Sequence, residues 1–169
     1  MDETGRVRFQ LDLLAPLNGF VAHNAHDALG DVEATIHLGR LIAQRAPELW
    51  AEILSNRDKT AVQTRLASFQ PMALVERFGG GPPRATIGCF CGTSASNANQ
   101  AAFFDLDAAD PADLLAADDA TIFAAVDATP KIIRSLATNK SPALLAVPNP
   151  SPVHIQRAEV IAQSSGFRD

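Results

Sequence analysis

A histidine and an aspartate five positions apart, His26 and Asp31, are the side chains of this 169-residue chain best suited to move a proton and to hold a metal ion. Such a pair occurs often by chance, so its geometry matters more than its presence. Five residues of regular helix turn through ~500 degrees and leave two side chains about 140 degrees apart. The pair therefore converges only if His26 stands at the irregular start of a helix, where Asp27 is a reasonable N-cap and Asn24 the alternative. Asp31 then falls in the first helical turn, facing a metal, with His26 just before it and free to approach a water. The remaining histidines carry less: His23 and His37 read as surface groups and His154 as an ordinary residue of a late helix.

The helix that has to position Asp31 is legible from its periodicity. Ala28, Leu29, Val32, Ile36 and Ile42, widened by Leu38 and Leu41, recur at helical spacing from Ala25 to about Arg45. Pro47 stands where a first helical position would be, and Leu49, Trp50, Ile53 and Leu54 continue the spacing to Ser55 and Asn56, predicting a shorter helix that forms a hairpin with the first. A short helix around 61–67 follows the polar run Asn56-Arg57-Asp58-Lys59, and the linker near residue 57 divides the chain into expected domains 1–57 and 58–169. Beyond it, 72–78, 85–91 and 101–106 read as strands of a small antiparallel sheet, separated by Gly79-Gly80-Gly81-Pro82-Pro83 and by the polar stretch Thr93 to Asn99. Asp110-Pro111 and Asp118-Asp119 resemble helix starts, giving short helices around 112–116 and 121–126, and strands resume at 132–136 and 143–147. Ser151-Pro152 opens a last helix that Gly166 would end. The expected fold class is α+β.

Composition sets a mild frame. With 47% apolar and 20% charged residues the chain reads as an ordinary folded protein of one domain or two small ones. A net charge of -5 argues against a broad basic surface, so any nucleic-acid contact should be local or metal-assisted. No basic-then-apolar leader is expected, and no segment approaches the ~20 apolar residues that span a bilayer, which favours the cytoplasm and no membrane contact. Cys89 and Cys91 flank Phe90 in a strand with no histidine close in sequence, and so read as small reduced side chains rather than zinc ligands.

The stretch Asn24-Ala25-His26-Asp27-Ala28-Leu29-Gly30-Asp31-Val32-Glu33-Ala34-Thr35 resembles the third exonuclease motif of the exonuclease I family, bacterial exodeoxyribonucleases that remove nucleotides from the 3′ end of single-stranded DNA. Leu17-Asn18-Gly19, Arg45-Ala46-Pro47, Leu74-Val75, Phe104-Asp105-Leu106 and Asn139-Lys140-Ser141-Pro142 resemble that family's text in the same order. The resemblance implies a ribonuclease H-like nuclease domain, an SH3-like domain and a helical domain. Here residues 1–57 would be the C-terminal segment of the first and 58–169 the second. It also implies two-metal hydrolysis with magnesium or manganese ions ~3.5–4 Å apart, His26 as general base and Asp31 as one metal ligand. Single-stranded DNA would be the substrate, touched by Asn24, Arg77 and Arg84, with bases stacking on aromatics such as Phe78 or Phe90.

The family also needs an Asp-x-Glu pair and a further aspartate ahead of the histidine motif. Only Asp2, Glu3 and Asp12 precede His26 as carboxylates, and none sits in such a pair. The chain is therefore expected to be a fragment, inactive alone, whose partner would be the missing N-terminal nuclease half or a single-stranded-DNA-binding protein. Its first helix should then expose an apolar patch that promotes self-association or docking. Two look-alikes fail on context: Asp31-Val32-Glu33 places its acids ~200 degrees apart on a helix, and Phe103 to Asp107 follows the histidine motif, its acids better suited to capping a turn. Gly79-Gly80-Gly81 lacks the Lys-Ser/Thr ending of a phosphate loop. The alternatives are a non-catalytic SH3-like module that binds single-stranded DNA or a DNA-repair partner, and a split gene product that pairs with a separate first half.

Overall fold

The computed structural model describes residues 9–21, 28–77 and 81–164. They fall into two compact units, one built from described residues up to Glu52, the other from Ile53 to Arg77 and from Pro83 onward. The first is helical and the second is a mixed helix and antiparallel-sheet unit.

In the first unit α1 (Leu11–Leu17) packs against α2 (Ala28–Arg45), and α3 (Pro47–Ser55) follows after Ala46. The helix α1 was not expected, because it is short and contains Pro16. It ends at Asn18, whose Nδ2 donates to the Leu14 carbonyl at 2.8 Å, followed by Gly19 at φ +87, the left-handed position that glycine tolerates. On α2 the buried residues are Gly30 and Ala34, one turn apart, and α1 contributes buried Ala15. Leu29, Val32 and Ile36, which announced the helix in the sequence, are 63%, 54% and 47% exposed. The small residues, not the large apolar ones, make the covered face, since a helix approaches another most closely where it has least side chain. The expected exposed patch on this helix is thus present. The helices α2 and α3 meet where a Cβ added at Gly39 would lie 3.4 Å from the Trp50 ring.

The second unit is organised on a five-stranded antiparallel sheet of order β4-β3-β2-β1-β5. Its strands are β1 (Met72–Glu76), β2 (Arg84–Ser94), β3 (Asn97–Asp105), β4 (Ile133–Ala137) and β5 (Leu144–Ala146). The polar stretch Thr93 to Asn99, expected to separate strands, is a tight hairpin: β2 runs on to Ser94, which pairs with Asn97. Helix α4 (Lys59–Leu66), capped by Asp58 through the amides of Thr60 and Ala61, puts Val62 and Leu66 on one sheet face with Met72, Leu74, Phe103, Leu136 and Leu144. The other face carries Cys89, Cys91, Phe104 and Leu106 against Ala158 and Ile161 of α7 (Pro152–Gln163). Between β3 and β4 lie α5 (Pro111–Leu115) and α6 (Asp119–Asp127), each started by an aspartate N-cap, Asp110 and Asp118. Gly88 of β2 has no room for a side chain, because a Cβ there would meet the Phe103 ring and the Phe104 carbonyl. No described helix is long and apolar enough to cross a membrane.

Candidate functional site

Asp31 lies in the first turn of α2, half-buried, beside buried Gly30. His26, Asn24, His23 and the possible cap Asp27 lie outside the described residues, as do Phe78, Gly79, Gly80 and Gly166. Glu33 is exposed, as its helical angle from Asp31 requires. Among the described residues no group of three His, Cys, Asp or Glu side chains is placed to hold a metal ion. Asp31 is a hard oxygen donor suited to magnesium, yet a two-ion centre needs several carboxylates, and the described residues do not supply them.

Arg77 and Arg84 are brought together. Both are exposed at one end of the β1–β2 ladder, where Glu76 stands opposite Arg84. They belong to the second unit and Asp31 to the first. Phe90, on the same strand as Arg84, is six residues further along, about 20 Å at strand rise. It is half-buried against the core and lies 5.4 Å from Phe69, centroid to centroid. An aromatic stack beside the two arginines therefore does not form from Phe90. Of the described phenylalanines, Phe103 and Phe104 are fully buried while Phe9 and Phe123 are 41% and 72% exposed.

Several polar groups do more than their spacing announced. His37 is not a free surface group: it is half-buried, its Nε2 is 2.9 Å from the Asn18 carbonyl, and its ring lies 5.3 Å from that of Phe20. His154 of α7 pairs with Asp107 at 2.8 Å, and Arg157 donates to the Leu106 carbonyl at 2.6 Å, so the last helix is tied to the end of β3. Asp105 accepts from the amides of Asp107 and Ala108 at 3.1 and 3.2 Å, the turn-capping role expected of it. Arg134 reaches both Glu76 at 3.5 Å and Asp105 at 3.7 Å. Cys89 and Cys91 are buried and free, and burial pushes both thiols up to about 12.

Two cavities flank the β2–β3 hairpin. One of about 420 Å³ includes Lys131, Ser135 and Val126 in its wall. The other, about 260 Å³, lies between α4 and the hairpin and includes Gln63, Phe90, Thr93 and Gln100. Its walls come from α4, the β2–β3 hairpin and Thr138, which are far apart in sequence, so no local spacing could have announced it.

Known proteins similar to this chain point one way. No family model matches. The chain is 37% identical over 62 residues to the exodeoxyribonuclease I of Haemophilus influenzae, a match covering 37% of this chain and 13% of that protein. It is 38% identical over 58 residues to that of Escherichia coli, covering 34% and 12%. Among solved structures, exonuclease I from Methylocaldum szegediense matches with a TM-score of 0.68 at 23% identity, over 99% of this chain and 37% of that one. A second exonuclease I structure matches with a TM-score of 0.64 at 26% identity, over 96% and 36%. E. coli exonuclease I bound to a dA16 oligonucleotide matches with a TM-score of 0.65 at 24% identity, over 98% and 37%. The chain thus spans little more than a third of the length of these structures.

Proposed function

The chain belongs to the exonuclease I family, and on that premise we propose that it carries the histidine–aspartate end of a ribonuclease H-like nuclease domain, within residues 1–57, joined to an SH3-like unit, residues 58–169, of a metal-dependent 3′-to-5′ exonuclease for single-stranded DNA. The observation that supports this most is the extent of the likeness, which covers 96–99% of the chain rather than one short motif. In this reading His26 is the general base, a neutral imidazole that takes the proton from the water attacking phosphorus. Asp31 is one ligand for magnesium or manganese, and Asn24, Arg77 and Arg84 position the strand through its phosphates. Divalent ions, when bound, supply an activated water and neutralise the phosphate charge. No Asp-x-Glu pair precedes His26 in the sequence, so in this reading the chain alone is inert, and the exposed Leu29, Val32 and Ile36 face of α2 seats the remainder of the nuclease domain.

The test is digestion of 3′-labelled single-stranded DNA with magnesium, by the chain alone and with a supplied N-terminal nuclease half. Digestion should appear only with the supplied half and be lost in His26→Ala. Robust digestion by the chain alone would overturn its incompleteness. The missing Asp-x-Glu pair also allows a second reading, a non-catalytic SH3-like module for single-stranded DNA or a DNA-repair partner. That reading gains if the oligonucleotide binds but complementation never restores digestion.

A further inference from the structure

The two outer strands of the sheet end differently. On β5 the backbone groups of Leu144 face away from β1, and they are occupied: its N–H donates to the Pro142 carbonyl at 2.8 Å, and its carbonyl accepts from Asn56 Nδ2 at 2.8 Å and from Arg65 at 3.3 Å. Side chains thus close that edge, one of the ways in which natural sheets avoid unwanted pairing. On β4 the phase of the ladder is set by the Thr138 N–H, which donates to the Asn99 carbonyl, and by the Asp105 N–H, which donates to the Ile132 carbonyl, both at 2.8 Å. Residues 132, 134, 136 and 138 therefore turn their backbone groups toward β3, and Ile133, Ser135 and Ala137 turn theirs outward. Among the described residues no strand pairs with that side. Its centre, Ser135, is exposed, and β4 has neither a proline nor a bulge to blunt it.

We propose that the chain pairs with a second copy of itself through the β4 edge, joining two five-stranded sheets into one, with the α6 helices packed across the two-fold axis. The strand is self-complementary. Turned antiparallel about an axis through Ser135, the second copy sets Ser135 opposite itself, Ile133 opposite Ala137 and Arg134 opposite Leu136, so no charge meets a like charge. The one charge in the strand, Arg134, is compensated within its own copy by Glu76 at 3.5 Å and Asp105 at 3.7 Å. Pairing five residues alone buries less than the ~1,200 Å² of a stable interface, and α6 supplies the remainder. Its Ile122, Phe123 and Val126 lie three and four positions apart on one helix face and are 38%, 72% and 41% exposed. Val126 shares the wall of the 420 Å³ cavity with Ile133 and Ser135, which sets the end of α6 over the β4 edge. An axis perpendicular to the sheet keeps both α6 helices on one side of it, where these apolar groups cover each other.

Sedimentation equilibrium of the full chain over a concentration series, with backbone amide hydrogen exchange read residue by residue, tests this. Dimer should form as the concentration rises, and the amides of Ile133, Ser135 and Ala137 should gain protection in step with it, while the inward amides of Arg134 and Leu136 stay protected throughout. Ser135→Lys sets two like charges opposite each other at the axis and should weaken the dimer about tenfold or more. If that variant does not fold, the exchange data on the unaltered chain decide. A chain that stays monomeric overturns the proposal. So does a dimer that forms with no protection at Ser135, which assigns association to the α2 stripe instead. Protection of Ser135 at every concentration without dimer shows the edge closed within one copy and overturns it too. Protection that appears only with a supplied N-terminal nuclease half makes that half the occupant, and likewise overturns self-pairing.

Discussion

Cys89 and Cys91 stand on the sheet face covered by α7, and their burial has a consequence for alkaline stability. Desolvation raises both thiols to about 12, with Cys91 adding to the shift at Cys89. Unfolded thiols ionise near 9.0, so above that value the unfolded chain loses protons that the native one keeps. Stability is therefore full below about pH 9 and should fall as the pH rises toward about 12, read as a declining urea midpoint. A thiol reagent should label neither cysteine in the native protein and both on unfolding; rapid native labelling would contradict the burial. The alternation Cys89, Phe90, Cys91 made their strand readable in advance, because a pleated strand sends every second side chain to one face. His37 and His154 were not readable in the same way. Their partners, the Asn18 carbonyl and Asp107, lie 19 and 47 residues away, and no spacing along the chain encodes such a meeting.

At the scale of elements, the polar run after α3 illustrates how a linker can hide a buried contact. Asn56 is 1% exposed, its Nδ2 donates to the Leu144 carbonyl at 2.8 Å, and its Oδ1 accepts from Arg65 at 2.7 Å. It ties the start of α4 to the edge strand β5. Arg65 also donates to the Leu144 carbonyl at 3.3 Å, so Asn56→Ala removes two hydrogen bonds but leaves its partners joined, and should cost about 1 kcal/mol in urea denaturation. Unchanged stability would show that the network contributes nothing. The sequence made α2, α3 and the sheet strands legible, since their apolar repeats are long. It concealed α1, where Pro16 interrupts a single short stretch, and the continuous β2–β3 hairpin, whose exposed tip is polar on both faces. The stripe of Leu29, Val32 and Ile36 marked the helix and its exposed face; what it did not announce is that Gly30 and Ala34 are the covered side, because amphipathic periodicity records where large apolar residues lie, not which side a neighbour covers.

For the whole molecule, that uncovered stripe is expected to promote association. Replacing Leu29, Val32 and Ile36 by Gln should abolish binding of an apolar-sensitive dye, shift any species associated through that stripe to a smaller one in light scattering, and prevent complementation by a nuclease half. A wild-type chain that is already monodisperse and dye-silent would remove the basis for that expectation. The strand order carries a different implication. Because β5 pairs with β1, residues 144–146 close a ladder begun at 72–74. During synthesis β1 must wait with one edge unsatisfied until residues 144–146 have been made, and a ribosome stalled before residue 144 would hold a nascent sheet open to pairing with its neighbours.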